Sequence, residues 1–244
     1  MPRKSKNAEP VVSIRRKKPI GIEHLKSIEP LTSNQELAFK SYAAGKHLVL
    51  HGAAGTGKTF ISLYMALQQV LDEGTPYDKV YMVRSLVPTR EIGFLPGDHE
   101  DKSNLYQIPY KNMVRYMFEM PDDASFDMLY ENLKHQETIS FWSRSFLRGT
   151  TLDNAIVIVD ESQNLHFHEL DTIMTRVGQD SRIIFCGDAS QSDLIKATDR
   201  TGIIDFQRIL QTMDEFSLIE YGIEDIVRSG IIKSYIIAKI NLGI

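Results

Sequence analysis

Short apolar runs alternate with stretches of helical spacing along most of this chain. Ala155 to Val159 is continuous, apolar and β-branched, as expected of a strand covered on both faces of a parallel sheet. Leu48 to Leu50, Val80 to Arg84, Arg182 to Cys186 and Phe216 to Tyr221 read as four further strands. Helical periodicity is expected over Gln35–Ala44, Phe60–Leu71, Lys111–Glu119, Phe126–Leu133, Phe167–Val177 and Ile203–Met213. Ile223 to Ile240 is also mostly helical in pattern, with Gly230 interrupting it. Ser33 followed by Glu36 predicts a capping box for the first helix, and Gly45 predicts its C-terminal stop. Thr138 to Phe146 alternates and is aromatic-rich, so it reads as a strand or hairpin inside a stretch, 98–150, that interrupts the core strands. Strands alternating with helices define an α/β fold with a mainly parallel sheet and helices on both faces.

The run Leu48 to Leu50 leads into His51-Gly52-Ala53-Ala54-Gly55-Thr56-Gly57-Lys58-Thr59, and Phe60 opens a helix. Gly52, Gly57, Lys58 and Thr59 fit the G-x-x-x-x-G-K-[ST] phosphate loop in its required strand–loop–helix context. Glycines let the backbone approach a polyphosphate and point successive N–H groups at it. The helix N-terminus adds its positive dipole end. The residues from Gly52 through Phe60 are therefore the expected nucleotide cradle. Lys58 would reach the β- and γ-phosphates, and the Thr59 hydroxyl would ligate Mg²⁺.

Two other strands end in chemistry. The run to Val159 closes on Asp160-Glu161, the Walker B pattern: Asp160 would hold Mg²⁺ through water and Glu161 would orient the attacking water. The run to Cys186 closes on Gly187-Asp188-Ala189-Ser190-Gln191, from which Gln191 can hydrogen-bond a γ-phosphate or its water. An isolated apolar run ending in Asp-Glu is a weak signal; about 100 residues after a phosphate loop it is a strong one.

Other side chains keep two readings. Gln35, 17 residues ahead of the loop, either reads the adenine edge through its amide or is an exposed residue at a helix start. Arg228 either reaches in trans to a neighbouring subunit's nucleotide as an arginine finger or forms a surface ion pair. Arg84 and Arg90 contact a phosphate or nucleic acid, or lie in a plain surface loop. Phe141, Trp142 and Phe146 stack on bases or pack the interior. His166 and His168 fit capping or surface positions better than a metal site.

Composition narrows the class. With 42% apolar and 25% charged residues among 244, the chain is an ordinary globular protein. No segment approaches the roughly 18 apolar residues of a membrane helix. The start carries no apolar signal core, and a cytoplasmic location is expected. The single cysteine, Cys186, excludes an internal disulfide. Residues 1–20 hold seven basic side chains and one acidic one; the remainder has 21 basic and 31 acidic residues, a net charge of −10. Residues 1–21 are accordingly expected to be a flexible basic arm, either binding nucleic-acid phosphates or serving as a solvated tail, ahead of a single domain over 22–244.

Together the motifs resemble the PhoH-like ATPases, relatives of the first motor domain of superfamily-one helicases. The matches are Asn34-Gln35, Gly52 to Thr59, Gly93-Phe94-Leu95-Pro96-Gly97, Leu147 to Leu152, Val159-Asp160-Glu161-Ser162-Gln163-Asn164, Gly187 to Gln191 and Asp225 to Arg228. Where the family carries Thr-Arg-Pro, this chain has Val83-Arg84-Ser85. The resemblance implies a RecA-like P-loop fold whose five strands, numbered along the chain, take the order 5-1-4-3-2. It also implies ATP and Mg²⁺ as ligands, and hydrolysis coupled to RNA or single-stranded DNA binding or unwinding. A single motor domain can grip a polymer at two points only by assembling, so a homo-oligomeric ring, a hexamer, is implied. The alternative is an ATP-dependent binding or scaffold protein without motor activity. A small-molecule kinase fits less well, because Asp160-Glu161 and the G-D-x-x-Q motif favour water as the nucleophile.

Overall fold

The computed structural model describes residues 20–84, 99–142, 150–188 and 197–242, with side chains from 107 in the second stretch and from 202 in the last. Six strands form one parallel sheet: β1 (His47–Gly52), β2 (Lys79–Arg84), β3 (Ile139–Trp142), β4 (Ala155–Asp160), β5 (Arg182–Gly187) and β6 (Phe216–Tyr221). Their spatial order is β3-β2-β4-β5-β1-β6, and every pairing is parallel. The five expected strands occur in the expected order. The correction is the sixth strand: β3 extends the sheet past β2, in register Val80↔Ile139 to Val83↔Trp142, as a parallel edge strand and not as a hairpin. It does so because its alternation serves two faces. Phe141 packs on one side of the sheet and Trp142 on the other, where its ring lies 4.6 Å from that of Tyr81.

The helices follow from which strand residues they cover. Leu48, Leu50, Val80, Met82, Ile156, Ile158, Ile184 and Cys186 face one cluster, shared with α1 (Ser33–Ala43), α2 (Lys58–Leu71), α3 (His99–Met117) and α4 (Asp123–His135). Val49, Val83, Val157, Val159, Ile183 and Phe185 face the other, covered by α5 (Phe167–Met174) and α6 (Ala197–Gln211). Successive residues of one strand thus enter opposite layers, the two-residue period of a pleated sheet.

Several element ends differ from expectation. The cap of α1 is Thr32, whose side chain accepts from Gln35 N at 3.3 Å, one residue before the expected Ser33. Gly45 does follow the helix with a left-handed φ of 91°. α3 begins at His99, well ahead of the Lys111 start that its pattern suggests, because Pro109 sits inside it and breaks the local helical signal. Gly230 opens α7 (Gly230–Asn241) instead of interrupting a longer helix, since the chain from Ile226 to Ser229 is extended or irregular. None of the described helices is long and apolar enough to cross a membrane. The basic residues before 20, the Gly93–Gly97 motif, Arg90, Phe146 and Gln191 lie outside the described residues.

Candidate nucleotide site

The C-terminal ends of β1, β4 and β5 lie side by side, so the residues following each strand meet at one edge of the sheet. This is where open α/β sheets bind ligands. β1 turns into the phosphate loop at Gly52, whose φ is 109°; a Cβ there would stand 2.3 Å from the Tyr221 carbonyl oxygen. Only glycine permits that approach, and it lets Ala53 N donate to the same oxygen at 2.8 Å. Gly57, with φ 82°, ends the loop and starts α2, and Ile61 N donates to its carbonyl. Gly55 is held from another direction, its carbonyl accepting from Val227 N at 3.1 Å.

Lys58 is buried and donates to Gly52 O at 2.8 Å, Ala53 O at 2.6 Å and Thr56 Oγ1 at 3.2 Å. Burial lowers its pKa, opposed by the acidic groups Asp188, Glu161 and Asp160 around it. Across the site, Thr59 Oγ1 donates to Asp160 Oδ1 at 2.7 Å. A hydroxyl and a carboxylate oxygen meeting beside a phosphate loop are hard donors of the kind Mg²⁺ takes, and they fit that ion. The other carboxylate oxygen, Asp160 Oδ2, accepts from the Tyr110 hydroxyl at 2.6 Å. Burial, and after it the neighbouring Asp160 charge, raise the Tyr110 pKa, so the phenol stays protonated.

Glu161 adopts a left-handed conformation, φ 53°, where β4 ends. This turns its side chain toward the cavity. Its Oε2 accepts from Gln163 Nε2 at 2.6 Å, and Arg84 Nη2 lies 3.8 Å from its Oε1. Gln163 Oε1 accepts from Asp188 N at 3.0 Å, so one amide joins the ends of β4 and β5. Burial works against the Arg84 charge, but Tyr110, Asp160 and Glu161 outweigh it and hold the guanidinium pKa above its usual value.

These groups border a cavity of about 270 Å³ lined by Ala54 through Phe60, Asp160, Glu161, Asp188 and Arg228, among others. A second cavity of about 560 Å³ adjoins it, sharing Gly55, Gly57, Phe60, Met113 and Arg228. It is lined largely by Ile28, Leu31, Phe60, Ile61, Met113 and Val227, with Tyr116 at its rim. The first suits phosphates and the second a flat apolar group.

The expected residues are distributed as follows. Lys58, Thr59, Asp160 and Glu161 come together with the loop from Gly52 to Phe60. Gln35 lines the apolar cavity, but it is only 3% exposed and both ends of its amide are engaged: Oε1 accepts from Leu31 N at 2.8 Å and Nε2 donates to Thr56 O at 2.9 Å. Arg228 lies against its own chain's loop, its Cγ 3.0 Å from where a Cβ on Gly55 would sit. Phe141 and Trp142 pack the sheet faces. The described residues hold no cluster of three His, Cys, Asp or Glu side chains suited to a metal, and His166 N instead donates a capping bond to Glu169 Oε2. Cys186 is buried, which pushes its thiol up to about 12. Nothing local marks Tyr110 or Met113 as site residues, and nothing local gives Gln163 its bridging role; only tertiary packing brings α3 to the site and the two strand ends together.

A phosphate loop on β1, an aspartate on β4 bonded to its threonine, and the parallel order around them define a P-loop nucleotide-binding domain. The chain belongs to the PhoH-like family: the family model described as PhoH-like protein matches residues 27–239. Protein PhoH2 of Bacillus subtilis (strain 168) is 32% identical over 174 residues, covering 70% of this chain and 38% of its own length. The PhoH-like protein of the same organism is 33% identical over 190 residues, covering 76% of this chain and 55% of its own. The chain thus spans about half the length, or less, of these curated relatives. Among solved structures, the large terminase of a thermophilic bacteriophage in complex with ADP aligns with 84% of this chain and 49% of its own, at 10% identity and a TM-score of 0.48.

Proposed function

We propose that this chain is a Mg²⁺-dependent ATPase whose turnover is coupled to RNA or single-stranded DNA. The observation that carries the reading is the 2.7 Å bond between Thr59 Oγ1 and Asp160 Oδ1. It joins the phosphate loop to the Walker B strand at the point where the metal half of an ATP site belongs. The loop N–H groups and Lys58 grip the β- and γ-phosphates, for which Lys58 exchanges one of its carbonyl partners. Thr59 and Asp160 hold Mg²⁺, which supplies charge neutralisation at the phosphates when bound. Glu161 aims a water at the γ-phosphorus and takes its proton, giving ADP and inorganic phosphate. Gln191 completes the terminal-phosphate contacts, and Arg228 adds positive charge from its own chain's side. The apolar cavity receives the base, with Gln35 shaping the loop behind it. Coupling to a polymer rests on the family and on the basic residues before 20; a homo-oligomeric ring, a hexamer, in the cytoplasm is the assembly this reading favours.

The test is a pair of variants. Lys58→Ala abolishes nucleotide binding or turnover. Glu161→Gln binds ATP and loses hydrolysis by about 10²-fold or more, the scale of a lost general base. A Glu161→Gln protein that turns over normally removes the water-activating role. ATPase rates with and without single-stranded RNA separate the motor from an ATP-dependent scaffold: stimulation by the polymer favours the motor.

A further inference from the structure

The metal corner of the site carries a contact for which the hydrolytic scheme above has no use. Tyr110 is 2% exposed and donates to Asp160 Oδ2 at 2.6 Å, while Thr59 donates to Oδ1 of the same carboxylate at 2.7 Å. Two donors on different oxygens fix the plane of a carboxylate as well as its position. Asp160 is itself 6% exposed, so little water is available to replace a lost donor. A phenol suits that position, because it donates to the anion without cancelling its charge, as a lysine there would.

Tyr110 is placed by the far side of the crossover. Its ring lies 5.5 Å from that of Phe141 on β3 and belongs to the cluster under α3 and α4. Tyr110, Met113 and Tyr116 recur every three residues, so one face of α3 runs along the site from the Walker B aspartate to the apolar cavity.

We infer that Tyr110 is a positioning residue for the metal: its hydroxyl holds the Asp160 carboxylate with Oδ1 toward Thr59, so that affinity for a divalent cation depends on how α3 is seated. The inference rests on the Mg²⁺–nucleotide reading above. Outer-shell partners of this kind change metal affinity by about 10–100-fold when removed.

Tyr110→Phe keeps the ring and its Phe141 neighbour and deletes only the hydroxyl. The binding of a fluorescent, non-hydrolysable ATP analogue is measured for both proteins from EDTA through rising Mg²⁺. In EDTA the two bind the analogue equally, and the Mg²⁺ midpoint of the variant rises by about tenfold. Equal midpoints overturn the inference. An affinity loss as large in EDTA as in Mg²⁺ also overturns it, because Tyr110 would then support the whole cavity and not the carboxylate. A wild-type protein that binds the analogue without any response to Mg²⁺ sinks the ATPase reading and this inference with it; a failure confined to the variant leaves that reading standing.

Discussion

At the phosphate loop, it is the loop's own backbone that is held. Tyr221 O accepts from Ala53 N, Gly55 O from Val227 N, and Thr56 O from the Gln35 amide. The crossover of α3 and α4, which borders the same cavities, is held by side chains. Phe126, Leu129 and Leu133 fill the space under it, and the exposed pairs Lys111–Asp127 and Arg115–Asp123 add little at its surface. The loop's shape is therefore sensitive to any added Cβ, whereas the crossover is sensitive to lost volume. One region keeps its shape through main-chain atoms and left-handed glycines; the other contributes side-chain identity, through Tyr110, Met113 and Tyr116.

Substitution in each region tests that division. Gly52→Ala drives a Cβ into the Tyr221 carbonyl at a left-handed φ. It should cost about 3 kcal/mol or more and abolish nucleotide binding. Phe126→Ala, by contrast, should lower the unfolding free energy by about 3–5 kcal/mol and leave the nucleotide affinity of the folded fraction within a few-fold. Chemical denaturation and nucleotide titration of both variants read the two effects; a tenfold affinity loss in Phe126→Ala would show that the regions are not separable.

Gln35→Ala comes next in size. Its amide bond to Thr56 O is buried and that from Leu31 N partly so, and about 1–3 kcal/mol of stability should go with them. ATP and GTP affinity should weaken together. A preference that shifts toward GTP would return base reading to Gln35 and refute its role as a brace.

The smallest effect is in pH. Burial, and then the Arg182 charge, hold His47 below 6.5, and its Nδ1 accepts from Ile183 N at 3.2 Å, which requires a neutral ring. As pH falls through 6.5 the unfolded chain takes a proton first, so the β1 region loses stability until the folded ring is protonated too. At the cap of α4, bonds from Ser125 hold the Asp122 carboxyl below 3.8, so its contribution is present above 3.8 and is lost only at lower pH. Melting temperatures should therefore decline in two stages. His47→Asn should flatten the first stage and leave the second; an unchanged first stage would exclude His47 as its source.

What can be read in advance follows the same division. The loop from Gly52 to Thr59 is legible because its mechanism needs consecutive residues in one local conformation. The inner strands β1, β2, β4 and β5 are legible because burial on both faces demands near-continuous apolar runs, and β6 at the edge keeps enough apolar positions, Phe216 to Tyr221, to be read as well. α3 is only half visible, since Pro109 interrupts its pattern while the fold tolerates it. β3 reads as an aromatic alternation, but whether it forms a hairpin or a parallel edge depends on an open position beside β2. Gln35 belongs to the expected cavity, yet its partners come from residues 31 and 56, and no spacing rule connects them.

The chain alone therefore determined the phosphate loop, the Asp160-Glu161 pair, five of the six described strands and, with the family likeness, their order, because each depends on neighbours in sequence or on the burial that parallel sheets impose. Tertiary structure alone decided that Tyr110 would meet Asp160 across 50 residues, that Gln163 would join two strand ends, and that Arg228 would lie on its own loop. Those contacts depend on how helices and strand ends pack across the sheet, and packing geometry leaves no periodic trace in the residues that meet.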